Sequence, residues 1–166
     1  MTAQVWSIGH SNHSAARFTE LLTMHEIDLL VDVRSKPKSR FAHFCRFPMI
    51  KFLHAAGIQY LYGGLALGGL SNYSVDDKLF VTKMDTILEH AKSGKRLAMM
   101  CSEGKPMECH RAGKLTAWLH RERSTTATTH ILPDGTLVDA REYEPKVLKS
   151  VREKKFTPWE IDLFDR

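Results

Sequence analysis

The run Ile27-Asp28-Leu29-Leu30-Val31-Asp32-Val33 constrains the fold more than any other feature of this chain. A strand with one wet face alternates apolar and polar residues, whereas a nearly continuous apolar run suits a strand covered by helices on both faces. Sheets of that kind are mostly parallel, because parallel neighbours need a crossover and a helix supplies it. The rest of the chain is therefore expected to alternate strands with helices.

It does so. Gln4-Val5-Trp6-Ser7-Ile8 reads as a first strand ended by Gly9, and Ser14 is a natural N-cap for a helix that turns Phe18, Leu21 and Leu22 inward. After the apolar run, Pro48 marks a helix start, with Ile50, Phe52, Leu53 and Ala56 inward and Gly57 as its stop. Ile58 to Tyr62 is the third strand. Gly63 to Ser74 reads as a glycine-rich loop, and Val75 to Ser93 as a helix ended by Gly94. Arg96 to Met100 gives a fourth strand. A helix from about His110 to Glu122 presents Leu115, Trp118 and Leu119 on one face, and His130-Ile131-Leu132 is the fifth strand. Pro133-Asp134-Gly135 is a tight turn, and a last helix is expected around Val147, Leu148 and Val151.

The sum is a single Rossmann-like α/β domain over residues 1–166, a mostly parallel sheet with helices on both faces, and an extended tail from about residue 155. Its 43% hydrophobic and 26% charged residues are those of a globular protein, and no apolar run approaches the roughly 20 residues of a membrane span. No membrane partner is expected. The amino terminus enters a strand directly, without the pattern of a secretory signal, so a cytoplasmic location is expected. Cys45, Cys101 and Cys109 are an odd, sparse set, expected as thiols, ligands or core residues and not as staples.

Parallel sheets bind ligands beyond the carboxyl ends of their strands. His10 follows the first strand, Arg34 the second, Gly63 and Gly64 the third, and Cys101 the fourth. Charge converges on the same edge. No acidic residue lies between Asp32 and Asp76, while Arg34, Lys36, Lys38, Arg40, Arg46 and Lys51 all do, within a chain of formal charge +5. That stretch attracts anions. Arg34 stands at the strand end with Asp32 two residues before it on the same side, a pair able to hold and orient an anion.

Gly9-His10-Ser11, Asp32-Val33-Arg34 with Pro37, Ser39 and Arg40, Leu67-Gly68-Gly69, Cys101-x-Glu103 and Cys109-His110-Arg111 together resemble the bacterial and archaeal family called domain of unknown function 488. Each tripeptide alone is weak, but the ordered set is specific, and the resemblance runs roughly to His130-Ile131. It implies a compact α/β domain with polar and thiol residues gathered at one site.

The residues themselves suggest the chemistry. A cysteine between a parallel strand and a helix sits where backbone N-H groups and the helix dipole stabilise a thiolate or a bound anion. Cys101 reads either as a nucleophile, with His10 or His110 as base, or as a buried strand-end thiol. Cys101 to Lys105 loosely resembles the loop of rhodanese-type sulfurtransferases and cysteine phosphatases. Met107, however, stands where those phosphatases need arginine, and Glu103 would repel the same anion, so simple membership is rejected. Glu103 is a general acid or base, or the partner of Arg111 or Arg34.

No cofactor is expected. Zinc held by Cys101, Cys109, His110 and His10 is the alternative, against which stands the adjacency of Cys109 and His110. The glycine pairs are not a dinucleotide fingerprint. The leading expectation is an enzyme in which Cys101, Cys109, Glu103, His110 and His10 do the chemistry. Ser11, Asp32, Arg34, Arg40 and Arg111 would bind an anionic substrate, a small molecule such as a nucleotide, or nucleic acid. The alternative is a non-catalytic nucleic-acid-binding module that uses the basic, aromatic loop 34–51.

Overall fold

The computed structural model describes residues 3–142. Six strands form one sheet: β1 (Gln4–Gly9), β2 (Leu29–Asp32), β3 (Gln59–Tyr62), β4 (Leu97–Cys101), β5 (Ala127–Ile131) and β6 (Leu137–Asp139). Their spatial order is β3-β2-β4-β1-β5-β6, parallel except for the antiparallel β5–β6 pair. Every residue of β2 and β4 is buried, as expected of strands covered on both sides.

Helices α1 (Ala15–Met24) and α2 (Arg46–Ala55) cover one face, where Phe18, Leu21, Leu22, Met49 and Leu53 pack on Ile8, Leu30 and Met100. The other face carries the one-turn α3 (Gly64–Leu67), α4 (Lys78–Lys92) and a long last helix. That helix winds as a π-helix over Arg111–Thr116 and continues as α5 (Ala117–Glu122). Each large apolar side chain fully buried in these layers contributes about 1.5–3 kcal/mol.

This topology fixes where a ligand fits. β1 and β4 are neighbours, yet the chain leaves β1 toward α1 on one face and leaves β4 toward the 111–122 helix on the other. Loops that part in this way open a crevice at the strands' carboxyl ends.

Several boundaries differ from expectation for local reasons. Ser14 does cap α1, its hydroxyl accepting from Arg17 N at 3.1 Å. Helix α2 begins at Arg46, two residues before Pro48, which still lies in the first turn where no N-H is needed. Its buried face uses Met49 and Leu53. The stretch expected as loop contains α3, and α4 starts at Lys78, where the Asp77 carboxylate accepts from Ser74 N. Cys101 is the last residue of β4. The turn at Pro133–Gly135 closes a hairpin, so β6 was missed, while the expected last helix and the tail lie outside the described residues. Among the described residues no helix is long and apolar enough to cross a membrane.

Candidate functional site

The crevice between β1 and β4 is a cleft of about 650 Å³. One wall is His10, Ser11 and Asn12; the opposite wall is Ser102, Glu103 and Gly104; Ser39, Arg40 and Phe41 from the loop after β2 close the third side. The β1 and β4 loops stay in contact because the ladder continues past the strands, with His10 N donating to Cys101 O and Ser11 N to Ser102 O, both at 2.9 Å. Such closeness requires Gly9: a Cβ there would stand 1.8 Å from the Glu103 carbonyl oxygen. The absent side chain of Gly9 thus makes room for this loop. Ser11 takes a positive φ of 48°, which turns the chain out of the strand and into the cleft wall.

His10 is the most constrained group of the cleft. Its ring stacks on Phe44 at 4.3 Å, and Nδ1 lies 2.8 Å from the Ser11 carbonyl. A carbonyl only accepts, so the proton is on Nδ1 and Nε2 keeps a lone pair. That Nε2 is buried and has no hydrogen-bond partner among the described residues. Burial lowers the His10 pKa to about 4, the Ser11 carbonyl opposing and the Arg34 charge reinforcing the shift. The ring is neutral at pH 7, an acceptor at the cleft edge. Arg40 is exposed, its guanidinium 4.9 Å over the Phe41 ring.

Asp32 and Arg34 lie below this surface. Asp32 is fully buried and takes Arg34 Nε at 2.9 Å, Arg34 Nη2 at 2.7 Å and the Tyr60 hydroxyl at 2.8 Å. Arg34 Nη1 donates to Phe44 O at 2.8 Å. The pair thus ties β2 and β3 to the turn that supports the His10 ring, and most of the guanidinium is used by protein. Burial and the Asp32 charge push the Tyr60 hydroxyl pKa upward.

The thiol segment occupies the other face. Cys101 and Cys109 belong to the core beneath α4 and the last helix, whereas His10 stacks on the opposite core. The structure brings the sulfurs of Cys101 and Cys109 together, with their Cα atoms 7.5 Å apart, and leaves Cys45 apart from them, so both are core residues, as expected. Eight residues separate the two cysteines, and the turn Pro106–Glu108 folds them together. His110 Nδ1 lies 3.6 Å from Cys109 Sγ, and its Nε2 donates to Val33 O at 3.2 Å, which leaves Nδ1 as the acceptor facing sulfur. Burial lowers the His110 pKa to about 4, and Lys114 and Arg111 lower it further. His110, not His10, is therefore the imidazole beside a cysteine.

Arg111 is fully buried. Its Nη1 lies 2.7 Å from Cys101 Sγ and also donates to Glu103 O; Nη2 donates to Gly104 O at 3.1 Å, and Nε to Ser7 Oγ at 3.2 Å. Burial pulls its pKa down to about 9, so it remains cationic at neutral pH. Ser7 Oγ in turn lies 2.6 Å from His130 Nδ1, and burial lowers the His130 pKa to about 3, with Arg111 adding to the effect. Ser7, Tyr60 and His130 escaped the sequence reading. The signal for Ser7 was a hydroxyl in the middle of an apolar strand, a position that demands a buried partner.

The candidate residues thus fall into two groups that share one loop. His10, Ser11, Arg40 and Glu103 meet at the cleft; Cys101, Cys109, His110 and Arg111 meet under it; Asp32 and Arg34 buttress the first group through the Phe44 turn. With His10 on the opposite face from Cys101, the four candidate zinc ligands are not gathered, and among the described residues no group of three or more His, Cys, Asp or Glu is placed to hold a metal ion.

A family model described as domain of unknown function DUF488 matches residues 14–116. The match takes in the Asp32, Leu67 and cysteine motifs and stops short of Gly9-His10-Ser11. No curated protein matches the chain.

Proposed function

Given that the chain belongs to the domain of unknown function 488 family, we propose that it is an enzyme that takes an anionic substrate, a nucleotide or nucleic acid in class, into the cleft between the β1 and β4 loops and acts on it through the reduced Cys101 thiol. One observation carries the reading: the Ser102-Glu103-Gly104 wall of the cleft is bonded to the same Arg111 guanidinium that touches Cys101 sulfur. A substrate pressing on this wall acts on the group that sets the charge of the thiol.

Arg40 supplies a positive charge in water, where it selects an anion, and His10 Nε2 accepts a proton or a donor hydrogen bond from the bound molecule. Ser11, Asn12, Ser39 and Ser102 offer hydroxyl and amide groups for the remaining polar atoms. Arg34 and Arg111 act from beneath, through the loops they hold. The Glu103 carboxylate makes the cleft wall mixed in charge, which favours substrates carrying donor groups as well as an anion.

The test is a panel of nucleoside phosphates and short oligonucleotides assayed for turnover by mass spectrometry. Turnover lost in both Cys101→Ser and Arg40→Ala, with thermal unfolding of Arg40→Ala unchanged, is the expected result. Turnover that survives Cys101→Ser would refute thiol chemistry.

The binding-module reading draws support from a different feature. Lys36, Lys38, Arg40 and Arg46 are all exposed, and Phe47 among them is 81% exposed. Cations beside an open ring are the composition of a single-strand platform. Under that reading, oligonucleotide affinity falls steeply between 50 and 200 mM salt, is lost with Phe47→Ala, and is accompanied by no turnover.

A further inference from the structure

We propose that Cys101 and Cys109 form a thiol–disulfide exchange centre, in which Cys109 is the sulfur that an incoming thiolate attacks and Cys101 is the thiolate that leaves, held by Arg111. This goes beyond the cleft reading and does not depend on it: no cleft substrate takes part.

The inference begins with Arg111, a fully buried guanidinium whose hydrogen-bond partners are a hydroxyl, two carbonyls and one sulfur. A buried charge without an opposite charge is costly, and carbonyl dipoles compensate only in part. In the disulfide the sulfur at its Nη1 is neutral. On reduction that sulfur can carry a negative charge, so the reduced state gives the guanidinium a charged hydrogen-bond partner, whereas its partners among the described residues are otherwise neutral. Couples whose reduced form is stabilised in this way oxidise other dithiols readily. The charge of Lys114, which reaches His110, acts in the same direction, and the His110 ring beside Cys109 is neutral. Among the described residues the Glu103 carboxylate is the opposing charge that favours the charged form of Arg111.

The two sulfurs are not equivalent. Cys109 is 7% exposed and Cys101 is 2% exposed, so an incoming thiol meets Cys109 first. Cys109 also has the group that manages a proton, His110 Nδ1 at 3.6 Å, and receives the Arg111 backbone N-H at 3.5 Å at the start of the long helix.

The reaction balances with a dithiol as co-reactant. One thiolate of the dithiol attacks Cys109 Sγ, a bond forms between them, and the Cys101–Cys109 bond breaks with its electron pair going to Cys101, which stays as thiolate on Arg111. The second thiol of the dithiol then attacks its own first sulfur. It closes a cyclic disulfide and releases Cys109, which takes the proton and donates it in a hydrogen bond to His110 Nδ1. The protein gains two electrons and the dithiol loses two.

The test uses the full chain in a Cys45→Ser background, so that only the pair reports, with circular dichroism to check folding. In the further variant Cys101→Ser, oxidised glutathione should form a persistent mixed disulfide at Cys109. In Cys109→Ser it should react with Cys101 at least tenfold more slowly. Iodoacetamide labelling of Cys101 in Cys109→Ser should reach half its maximal rate at least one pH unit below the ordinary thiol value of about 8.5. Arg111→Lys should keep most of that displacement and Arg111→Met should abolish it; if Arg111→Met does not fold, the labelling pH of Cys109→Ser decides alone. Faster glutathionylation at Cys101 than at Cys109, or a Cys101 labelling curve at the ordinary thiol pH, overturns the proposal.

Discussion

Replacing Gly9 by alanine should destabilise the protein far more than replacing a glycine whose backbone actually demands one. Gly9 has no positive φ, but its Cβ would meet Glu103 O at 1.8 Å, Glu103 C at 2.5 Å and Gly104 Cα at 2.9 Å, all backbone atoms that no rotamer change can move. Reaching ordinary contact at 3.4 Å requires the loop to retreat by about 1.6 Å. A retreat of that size breaks the ladder bonds from His10 N to Cys101 O and Ser11 N to Ser102 O, each worth about 1 kcal/mol, and adds an overpacking cost of about 1–3 kcal/mol. It also draws the Glu103 and Gly104 carbonyls away from Arg111. The total is about 3–5 kcal/mol, or roughly 10 °C in Tm for a domain of this size. Gly57 is the control: its φ is +75°, yet a Cβ there meets nothing within 4 Å, so Gly57→Ala costs only the left-handed penalty of about 1–2 kcal/mol. Urea denaturation of both variants tests the comparison. A Gly9→Ala protein as stable as Gly57→Ala would refute the account of why the β1 and β4 loops meet without a side chain between them.

Other outcomes follow from the buried polar groups. Asp32→Asn removes the charge opposite Arg34 and should cost about 3–5 kcal/mol in urea unfolding, because a guanidinium with 4% side-chain exposure is left uncompensated. A loss below 1 kcal/mol would mean the pair does not hold β2 to the turn below His10. Stability should fall as pH drops from about 6.5 toward 4: His10 and His110 near 4 and His130 near 3 lie below the ordinary value of 6.5, so the unfolded chain binds protons that the folded one refuses. This contribution is fully present above pH 6.5, and the slope of stability against pH near 5 should approach three protons, falling by about one in His10→Gln. A flat profile there would contradict the neutral, buried imidazoles. Ser7→Ala should cost about 2–4 kcal/mol, since it strands Arg111 Nε and His130 Nδ1 together; a neutral substitution would show that water replaces the hydroxyl.

Much of this arrangement was legible in the sequence, because hydrophobic period reports layers. The apolar run at Ile27–Val33 announced a strand covered on both faces, and the placement of His10, Arg34 and Cys101 at the ends of β1, β2 and β4 announced the edge at which the cleft opens. Strand order was not legible, since β4 inserts between β2 and β1 through contacts remote in sequence. That insertion puts the β1 and β4 loops side by side and decides which candidates meet. The separation of His10 from Cys101 depends on strand parity: the ladder pairs Gly9 with Cys101, so His10, one residue on, points to the other face. The fates of Arg34 and Arg111 were hidden for another reason. A basic residue near the carboxyl edge of a sheet reads as an anion binder, and only packing reveals that the Asp32 carboxylate already occupies Arg34 and backbone carbonyls occupy Arg111. The β5–β6 hairpin was missed although Pro133-Asp134-Gly135 gave its turn, because Leu137-Val138-Asp139 is too short for its period to register.

The claim on which the account rests most is that the cleft at the β1–β4 divide receives an anion beside His10 and Arg40. Resonances of the His10 ring and the Gly104 amide, followed by NMR while a nucleoside monophosphate is titrated in, test it most directly. The account predicts saturable shifts at both positions, weakened at least tenfold in affinity by Arg40→Ala. Shifts confined to the second cleft beside Ile50, His54 and His90, or shifts at His10 that Arg40→Ala leaves unaltered, would contradict it.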